Sequence, residues 1–349
     1  KKARADFENG AITAEQLKEV EDKAILDLVA KQKKASYHII TDGEFRRATW
    51  HLDFMWGFNG VGHSKTQTGL PFHGEAAMID DTYLTGKVSV GDHPFVEHFK
   101  FVKALEDENT VAKQTIPAPA QFLEQMIMPF ALENTKKYYN DTEELVQDIA
   151  KGYRKVIADL YAAGCRNIQF DDCSWGMIVD PNAKAIFGAD DAGLEDIKRL
   201  LLRINNLAIE GKPEDLVITT HVCRGNFHST YASSGAYDSV AETLFAGENV
   251  SAYYLEFDDE RSGGFEPLKA VSGDKKVVLG LITSKKPELE DKQAVIDRIH
   301  DAAKYISLDR LCLSPQCGFA SCEIGNKLTE EEQWAKLALV KEIAEEVWG

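Results

Sequence analysis

The stretch Asn167-Ile168-Gln169-Phe170-Asp171-Asp172 decides the fold class. It begins as a short strand and ends on two carboxylates. A helical pattern over residues 141–163 precedes it and stops at Gly164, a residue typical of helix ends. The same alternation of a helix with a short apolar strand recurs along the chain. Short apolar strands of this kind are typical of a parallel sheet whose two faces are covered by helices.

Seven segments have the pattern of buried strands and therefore indicate an α/β barrel. They are residues 37–40, 111–116, 167–170, 216–220, 250–255, 276–282 and 311–313. Seven strands are one short of a (β/α)8 TIM barrel, and the chain begins with Lys1 rather than Met. We expect a barrel whose first strand is missing, forming one domain over residues 1–349. A doubly wound open sheet is disfavoured because no Gly-rich phosphate loop follows any strand.

The helical patterns between these strands include a clear start at Thr13. Thr13 and Gln16 form a capping box, which predicts a helix reaching Gln32. Further helices are expected over residues 195–209, 292–306 and 330–347, where apolar residues recur with helical spacing.

Composition excludes several classes of protein. The 349 residues include 40 Lys and Arg against 57 Asp and Glu, a net charge of −17. A duplex-binding protein needs a basic face, so nucleic acid is not an expected partner. No apolar run approaches the length of a membrane-spanning helix. Six cysteines spread over a long chain without a secretory segment predict reduced thiols and a cytoplasmic location.

Polar side chains follow the predicted strands at their carboxyl ends, where the loops of a barrel converge on one pocket. They are Glu44, Asp171, His221, Cys223, Glu256 and Cys317. Imidazole, thiolate and carboxylate are the ligands that zinc takes in proteins. His221 and Cys223 lie two positions apart and therefore point to the same side of an extended segment. Spacing alone leaves two interpretations of His221, Cys223, Glu256 and Cys317: they bind a zinc ion together, or each packs separately.

The remaining cysteines and neighbouring polar residues have simpler interpretations. Cys165 and Cys312 are expected in the core, and Cys173 is expected to pack, with the pocket wall as the alternative. Cys322 is a weaker competitor for the ligand role. Asp172 and the acidic run 258–260 are expected to be hydrogen-bonded or solvated rather than catalytic. Trp50 and His51 are expected to be structural, with an aromatic pocket wall as the alternative.

Five segments together resemble the catalytic C-terminal barrel of cobalamin-independent methionine synthase and its short, single-barrel relatives. They are Gly43-Glu44-Phe45-Arg46, Ile168-Gln169-Phe170-Asp171-Asp172, Thr220-His221-Val222-Cys223, Leu255-Glu256 and Ser314-Pro315-Gln316-Cys317-Gly318. The resemblance implies an enzyme of the 5-methyltetrahydropteroyltriglutamate–homocysteine S-methyltransferase type, with zinc as cofactor and methionine as product. It implies zinc ligands at His221, Cys223, Glu256 and Cys317. It places the two carboxylates that bind the homocysteine amino group at Glu44 and Asp171.

The chain departs from the family pattern in three places, two of them on the side of the methyl donor. The Gly-Ser loop that holds the homocysteine carboxylate in the family precedes the first residue of this sequence. The stretch 115–122 lacks the family's folate-stacking Trp, and Lys285 stands where the family has its proton-donating His. Methyltetrahydrofolate stays open as the methyl donor, but these departures favour another donor, such as a methyl-corrinoid protein or a reactive small methyl compound. Lys285 is expected either to contact an anionic donor group or to be a surface lysine.

Two other functions remain open at this point. One is a zinc-dependent alkyltransferase that acts on another thiol, such as coenzyme M. Two carboxylates argue against it, because a thiol without an amino group does not need them. The other is a non-catalytic zinc barrel that binds homocysteine. A carboxylate among the ligands argues against that reading, since structural zinc sites are typically closed by Cys and His.

Overall fold

The computed structural model describes residues 1–349 as twelve helices and twelve strands, with short 3-10 and π turns. The helices are α1 (Lys2–Glu8), α2 (Ala14–Lys34), α3 (Leu52–Met55), α4 (Pro94–Lys103), α5 (Pro119–Ile127), α6 (Pro129–Thr135), α7 (Thr142–Ala162), α8 (Ser174–Ile178), α9 (Ala183–Phe187), α10 (Asp191–Ile209), α11 (Lys292–Ala302) and α12 (Glu330–Trp348). The strands are β1 (Ile39–Ile40), β2 (Asn59–Ser64), β3 (Leu70–Phe72), β4 (Glu75–Ala77), β5 (Asp81–Ser89), β6 (Val111–Ala112), β7 (Gln114–Pro117), β8 (Asn167–Asp172), β9 (Val217–Val222), β10 (Ala252–Glu256), β11 (Lys276–Ile282) and β12 (Leu311–Pro315).

A parallel sheet forms the centre of the molecule. Six strands pair in the order β12-β11-β10-β9-β8-β7, and β1 pairs in parallel with β6. Only Lys113 separates β6 from β7, and its backbone N–H donates to the Ile40 carbonyl at 3.0 Å. The pair β1–β6 therefore continues the order of the larger sheet. All seven segments that the sequence predicts as strands are confirmed.

The predicted closed barrel is confirmed only in part. β1 and β12 are the two outer strands of this order, and no ladder of hydrogen bonds joins them. The fold is thus α/β with a parallel sheet, and the barrel is open between these two strands. The eighth strand that would close it stays a prediction.

Helices cover the sheet because each presents one apolar side to it. In α7 the residues Leu145, Ile149, Tyr153, Val156 and Leu160 are all fully buried, at the spacing that places them on one face. The capping box predicted at Thr13 and Gln16 opens α2, as expected. One continuous core of 65 buried residues runs from Ile25 to Ile343. No helix combines the length and the hydropathy that crossing a membrane requires.

A long antiparallel hairpin between β1 and β6 is the largest element that the sequence did not predict. β2 pairs with β5, and β3 pairs with β4 at its tip. The tip reaches the loop after β9, where the His73 N–H donates to the Tyr231 carbonyl at 2.8 Å and Glu75 pairs with His228 at 2.9 Å. The hairpin therefore extends over the carboxyl ends of the central strands.

Two glycines let backbone segments approach each other at those carboxyl ends. A Cβ at Gly176 of α8 would lie 2.1 Å from the Cys223 carbonyl oxygen. A Cβ at Gly280 of β11 would lie 2.7 Å from the Cα of Gln316 and from the Leu255 carbonyl oxygen. Both contacts are with backbone atoms, which cannot rotate away as a flexible side chain can. These glycines therefore fix how closely the segments around Cys223 and Cys317 pack.

We predict that Gly176→Ala lowers the free energy of unfolding by about 1–3 kcal/mol, the usual cost of overpacking. Chemical denaturation of the variant and the wild type measures the difference. Gly91→Ala is the matched control, because a Cβ at Gly91 meets no atom within 4 Å. Equal stability of the two variants would contradict the packing argument.

Candidate functional site

Four of the predicted residues come together at the carboxyl ends of the strands. His221 lies in β9 with Cys223 just beyond it, Glu256 ends β10, and Cys317 follows β12. One ligand atom from each lies within 4.8 Å of the others. The sulfur atoms of Cys223 and Cys317 are 3.8 Å apart. This arrangement has the mixed donor set and the compactness that a zinc ion requires.

His221 is oriented for a role as ligand. Its Nδ1 donates to the Tyr254 carbonyl oxygen at 3.1 Å on the neighbouring strand. Its Nε2 is buried and has no hydrogen-bond partner. A hydrogen bond at one ring nitrogen with the other left free is the usual arrangement of a metal-binding imidazole. The residues present therefore fit a metal ion.

Glu256 is fully buried, and positive or N–H groups hold both of its oxygens. Oε1 accepts from the Arg224 backbone N–H at 2.9 Å, and Oε2 accepts from the Arg261 guanidinium at 2.9 Å. Arg261 also pairs with Asp258 at 2.9 Å, so part of the acidic run 258–260 is hydrogen-bonded, as expected. The arginine compensates the buried carboxylate and fixes its orientation.

Mutual electrostatics favour the charged forms of Cys317 and His221. A hydrogen bond from Cys223 and the positive charge of His221 hold the pKa of the Cys317 thiol well below its usual range, although burial opposes the shift. Burial disfavours the imidazolium, but the charges of Cys317, Asp171 and Glu256 outweigh it and raise the pKa of His221 to about 9. The proton on His221 therefore balances the Cys317 thiolate, and a metal cation bound at the cluster would replace that proton.

The two remaining predicted residues, Glu44 and Asp171, lie in the same cavity as the cluster. Glu44 Oε1 accepts from Arg47 at 2.8 Å and from the Thr115 hydroxyl at 2.6 Å. Asp171 Oδ1 accepts from the Gln169 amide at 2.7 Å. Glu44 has a left-handed backbone with φ of 61°, which a hydrogen bond from its N–H to Asp42 supports. Such strain is common where a side chain must be aimed at a ligand.

Burial changes the protonation of both carboxyls. It raises the pKa of Glu44 to about 7, although the Arg47 guanidinium opposes the shift, and the charge of Asp171 adds to it. Burial also raises the pKa of Asp171. Two neighbouring carboxyls with raised pKa values are well suited to bind a cation, because a bound positive charge stabilises their ionised forms.

The cavity has a volume of about 730 Å³. Glu44, Asp171, His221, Cys223 and Cys317 line it, whereas Glu256 lies behind this wall. A cavity of this size, mostly apolar with a few convergent polar groups, is typical of a small-molecule site.

Several other residues differ in part from the sequence expectation. Trp50 and His51 stack at 4.3 Å and line the cavity, as Cys173 does, so the alternative reading of a cavity wall is the one the structure supports. Cys322 also lines the cavity but lies outside the four-residue cluster, and burial raises its pKa to about 12. The surface position considered for Lys285 is wrong. Its side chain is buried and its Nζ donates to Asn226 at 3.2 Å.

Sequence reasoning missed the residues that hold the site in shape. Arg47 and Arg261 are buried arginines that pair with Glu44 and Glu256, respectively. Glu124 of α5 is buried at the cavity wall. Arg261 follows three acidic residues and Arg47 lies three positions after Glu44, so both pairings had a local signal. Glu124 had none, because its position depends on how α5 packs.

Comparisons with known proteins identify the family of the chain. The family model described as the catalytic domain of cobalamin-independent synthase matches residues 1–346. YxjG of Bacillus subtilis is 43% identical over all of this chain and 91% of its own length. A putative vitamin-B12 independent methionine synthase from Listeria monocytogenes has 38% identity and a TM-score of 0.78, covering 100% of this chain and 93% of that one. A B12-independent methionine synthase from Shewanella, solved with selenomethionine, has 21% identity and a TM-score of 0.72, covering 96% and 90%.

The chain therefore belongs to the cobalamin-independent synthase catalytic domain family, as the resemblance in the sequence indicates. Membership of this family indicates a methyltransferase that acts on small-molecule substrates. The likeness to the Shewanella structure shows the shared fold.

We predict that Glu44 makes the protein less stable as the pH rises. Its pKa is about 7 in the folded chain, against an ordinary value of 4.5, so the unfolded chain releases this proton first. The contribution of Glu44 to the free energy of unfolding should be highest below pH 4.5 and should fall until about pH 7. Between pH 5 and pH 7.5, Glu44→Gln should remove about 1–3 kcal/mol of this decline. Urea denaturation at both pH values, without homocysteine, measures it. An unchanged pH dependence would contradict the assignment.

Proposed function

We propose that this chain is a zinc-dependent methyltransferase that methylates the thiol of homocysteine to give methionine. The convergence of His221, Cys223, Glu256 and Cys317 within 4.8 Å, next to a cavity that Glu44 and Asp171 line, carries the proposal. Membership of a family with methionine synthases supports it, as does the selenomethionine bound by the Shewanella relative. We also propose a cytoplasmic role in methionine biosynthesis.

The four clustered residues would hold the zinc ion. When bound, zinc lowers the pKa of a coordinated thiol, so that homocysteine sulfur is present as a nucleophilic thiolate at neutral pH. The protein's part is to keep the donor atoms in place. Tyr254 fixes the His221 ring, and Arg261 fixes the Glu256 carboxylate. Both contacts preserve the donor set when substrates enter and leave.

The acceptor amino acid is oriented by the two carboxylates. Its ammonium group would lie between Glu44 and Asp171, where a positive charge compensates two acids whose pKa values burial has raised. Arg47 and Thr115 both donate to Glu44 Oε1 and hold the carboxylate in place. A thiol without an amino group gains nothing from this pair. The carboxylates therefore favour homocysteine over a thiol such as coenzyme M.

We propose a methyl donor other than methyltetrahydrofolate. The cavity wall over residues 115–122 contains Thr115 and Gln121 but no Trp for a folate ring to stack on. Lys285, in the position of the family's proton-donating His, is buried, is held by Asn226 and does not line the cavity. A methyl-corrinoid protein and a small reactive methyl compound are the two classes of donor considered from the sequence.

We predict one zinc ion per chain, lost in variants of the clustered cysteines. Cys223→Ala and Cys317→Ala each remove one thiolate from the donor set, so their zinc content should fall well below one. Elemental analysis after reconstitution and removal of free metal gives the stoichiometry. Cys312→Ala is the matched control, because this cysteine lies in β12 outside the cluster. Full zinc content in both cluster variants would rule out the proposed site.

We predict that the two carboxylates recognise the amino group. Glu44→Gln and Asp171→Asn should each weaken homocysteine binding about tenfold or more, the usual effect of losing a charge-assisted contact. Binding of 4-mercaptobutyrate, which has the same chain and carboxylate but no amino group, should change little. Dissociation constants by calorimetry on the zinc-loaded protein test both. Equal weakening for the two thiols would contradict the assignment.

A further inference from the structure

One wall of the cavity has no part in the proposed binding of homocysteine. It is formed by α5, α6 and the residue between them, and its lining residues are Gln121, Glu124, Gln125, Met128 and Phe130. The segment 121–130 contains no Lys, Arg or His. Gln121 accepts a hydrogen bond from the Cys173 backbone N–H at 2.9 Å, which connects this wall to the end of β8 near the clustered cysteines. The methyl donor must occupy the part of the cavity that homocysteine leaves free, and this wall borders it.

Glu124 is the unusual residue of this wall. Its side chain is only 2% exposed, and its one hydrogen bond is a long one, from the Gln121 amide to Oε2 at 3.4 Å. Burial raises the pKa of Glu124 well above its usual range, and the charge of Asp172 adds to the shift. Glu124 forms no ion pair, and no cation contributes to this shift. An unpaired buried carboxylate is costly, so burial favours the neutral form of Glu124 until a ligand brings a compensating positive charge.

The charge of the whole cavity also favours a cation. Five carboxyl groups line it, against three basic groups, Lys31, Arg224 and the clustered His221. The carboxyl groups belong to Asp27, Glu44, Glu124, Asp171 and Glu330. Lys31 is already paired with two of them, at 2.7 and 2.6 Å. Arg224 is 1% exposed, and its guanidinium lies over the Tyr237 ring at 4.3 Å. Acidic groups therefore outnumber basic ones along the cavity wall, which favours a cationic ligand over an anionic one.

Aromatic side chains complete a surface suited to an alkylated cation. The rings that line the cavity include those of Phe45, Trp50, Phe72, Phe130 and Trp334. Aromatic faces attract methylated cations, which are too weakly hydrated to prefer water strongly. The combination of one unpaired acid with aromatic walls matches a small methylated onium ion better than a neutral or anionic donor.

Resting on the proposed function, we propose that the methyl donor is a small sulfonium compound whose cationic centre is held against the Glu124 carboxylate. The homocysteine thiolate sulfur forms a bond to the methyl carbon as the bond from that carbon to the sulfonium sulfur breaks. The bonding pair stays on the leaving sulfur, which departs as a neutral thioether. No proton and no oxidant are needed. The reaction therefore does not require an acid at the position of Lys285.

The first experiment measures binding and requires no turnover. Choline and 3,3-dimethylbutan-1-ol have the same shape, but only choline carries a positive charge. Calorimetry on the wild type should show choline binding about tenfold or more tightly than the neutral compound. Glu124→Gln should remove most of this preference. Glu330→Gln is the matched control and should keep it, because Glu330 lines the same cavity but is already paired with Lys31.

The choline measurement can be interpreted even if a variant were to misfold. The amide of Glu124→Gln carries no charge for burial to disfavour, so this variant should keep the thermal midpoint of the wild type. The comparison of the two compounds on the wild type needs no variant. Equal binding of choline and its neutral counterpart to the wild type would overturn the inference. An unchanged preference in Glu124→Gln would overturn the role of this residue.

The second experiment measures turnover with trimethylsulfonium and homocysteine. The expected products are methionine and dimethyl sulfide, and Glu124→Gln should raise the KM for trimethylsulfonium about tenfold. Methionine formed from methyltetrahydrofolate but not from trimethylsulfonium would overturn the sulfonium donor and leave the proposed methyltransferase intact. Failure to bind homocysteine at all would instead contradict the proposed function, while the choline measurement would still decide the cationic site.

Discussion

The hydrogen bond between His221 Nδ1 and the Tyr254 carbonyl is the contact on which the candidate site depends most. It exists because β9 and β10 pair in parallel with Tyr254 opposite His221. The same register brings Glu256 to the end of β10, where the Arg224 N–H can reach it. On the other side of β9, the Cys223 N–H donates to the Asp172 carbonyl at 2.9 Å. A shift of one residue in either ladder would turn these side chains to the opposite face.

The sequence predicts the central strands and the candidate ligands well, for a physical reason. Buried parallel strands are short apolar runs, and side chains at their carboxyl ends must meet because the strands are parallel. This places His221, Cys223, Glu256 and Cys317 at one edge of the sheet, and the family resemblance then marks them as ligands. The positions of these residues depend on the register of the parallel strands rather than on the conformation of any one loop.

Other features could not be predicted because they depend on packing between distant segments. The hairpin β2–β5 is largely polar and half exposed, so it lacks the apolar signal of the central strands. Lys285 resembles a surface residue in sequence, yet its stem is buried and its amine meets Asn226, 59 positions away. Glu124 lies on α5, most of whose residues are buried, and the sequence does not show which of them border a cavity. The open edge between β1 and β12 is likewise a property of the assembled sheet.

Because the hairpin lies over the carboxyl ends of the strands, two separate segments of the chain form the cavity. The clustered His, Cys and Glu residues come from the central sheet, whereas Leu70, Phe72 and Ala77 at the hairpin tip form part of the mouth. The tip is tied down by contacts such as that between Glu75 and His228, not by the central strands. Insertions or substitutions in this segment can therefore reshape the entrance while the chemistry at the strand ends is preserved. Relatives that differ in the ligands they admit to the cavity should differ mainly in the sequence of this hairpin.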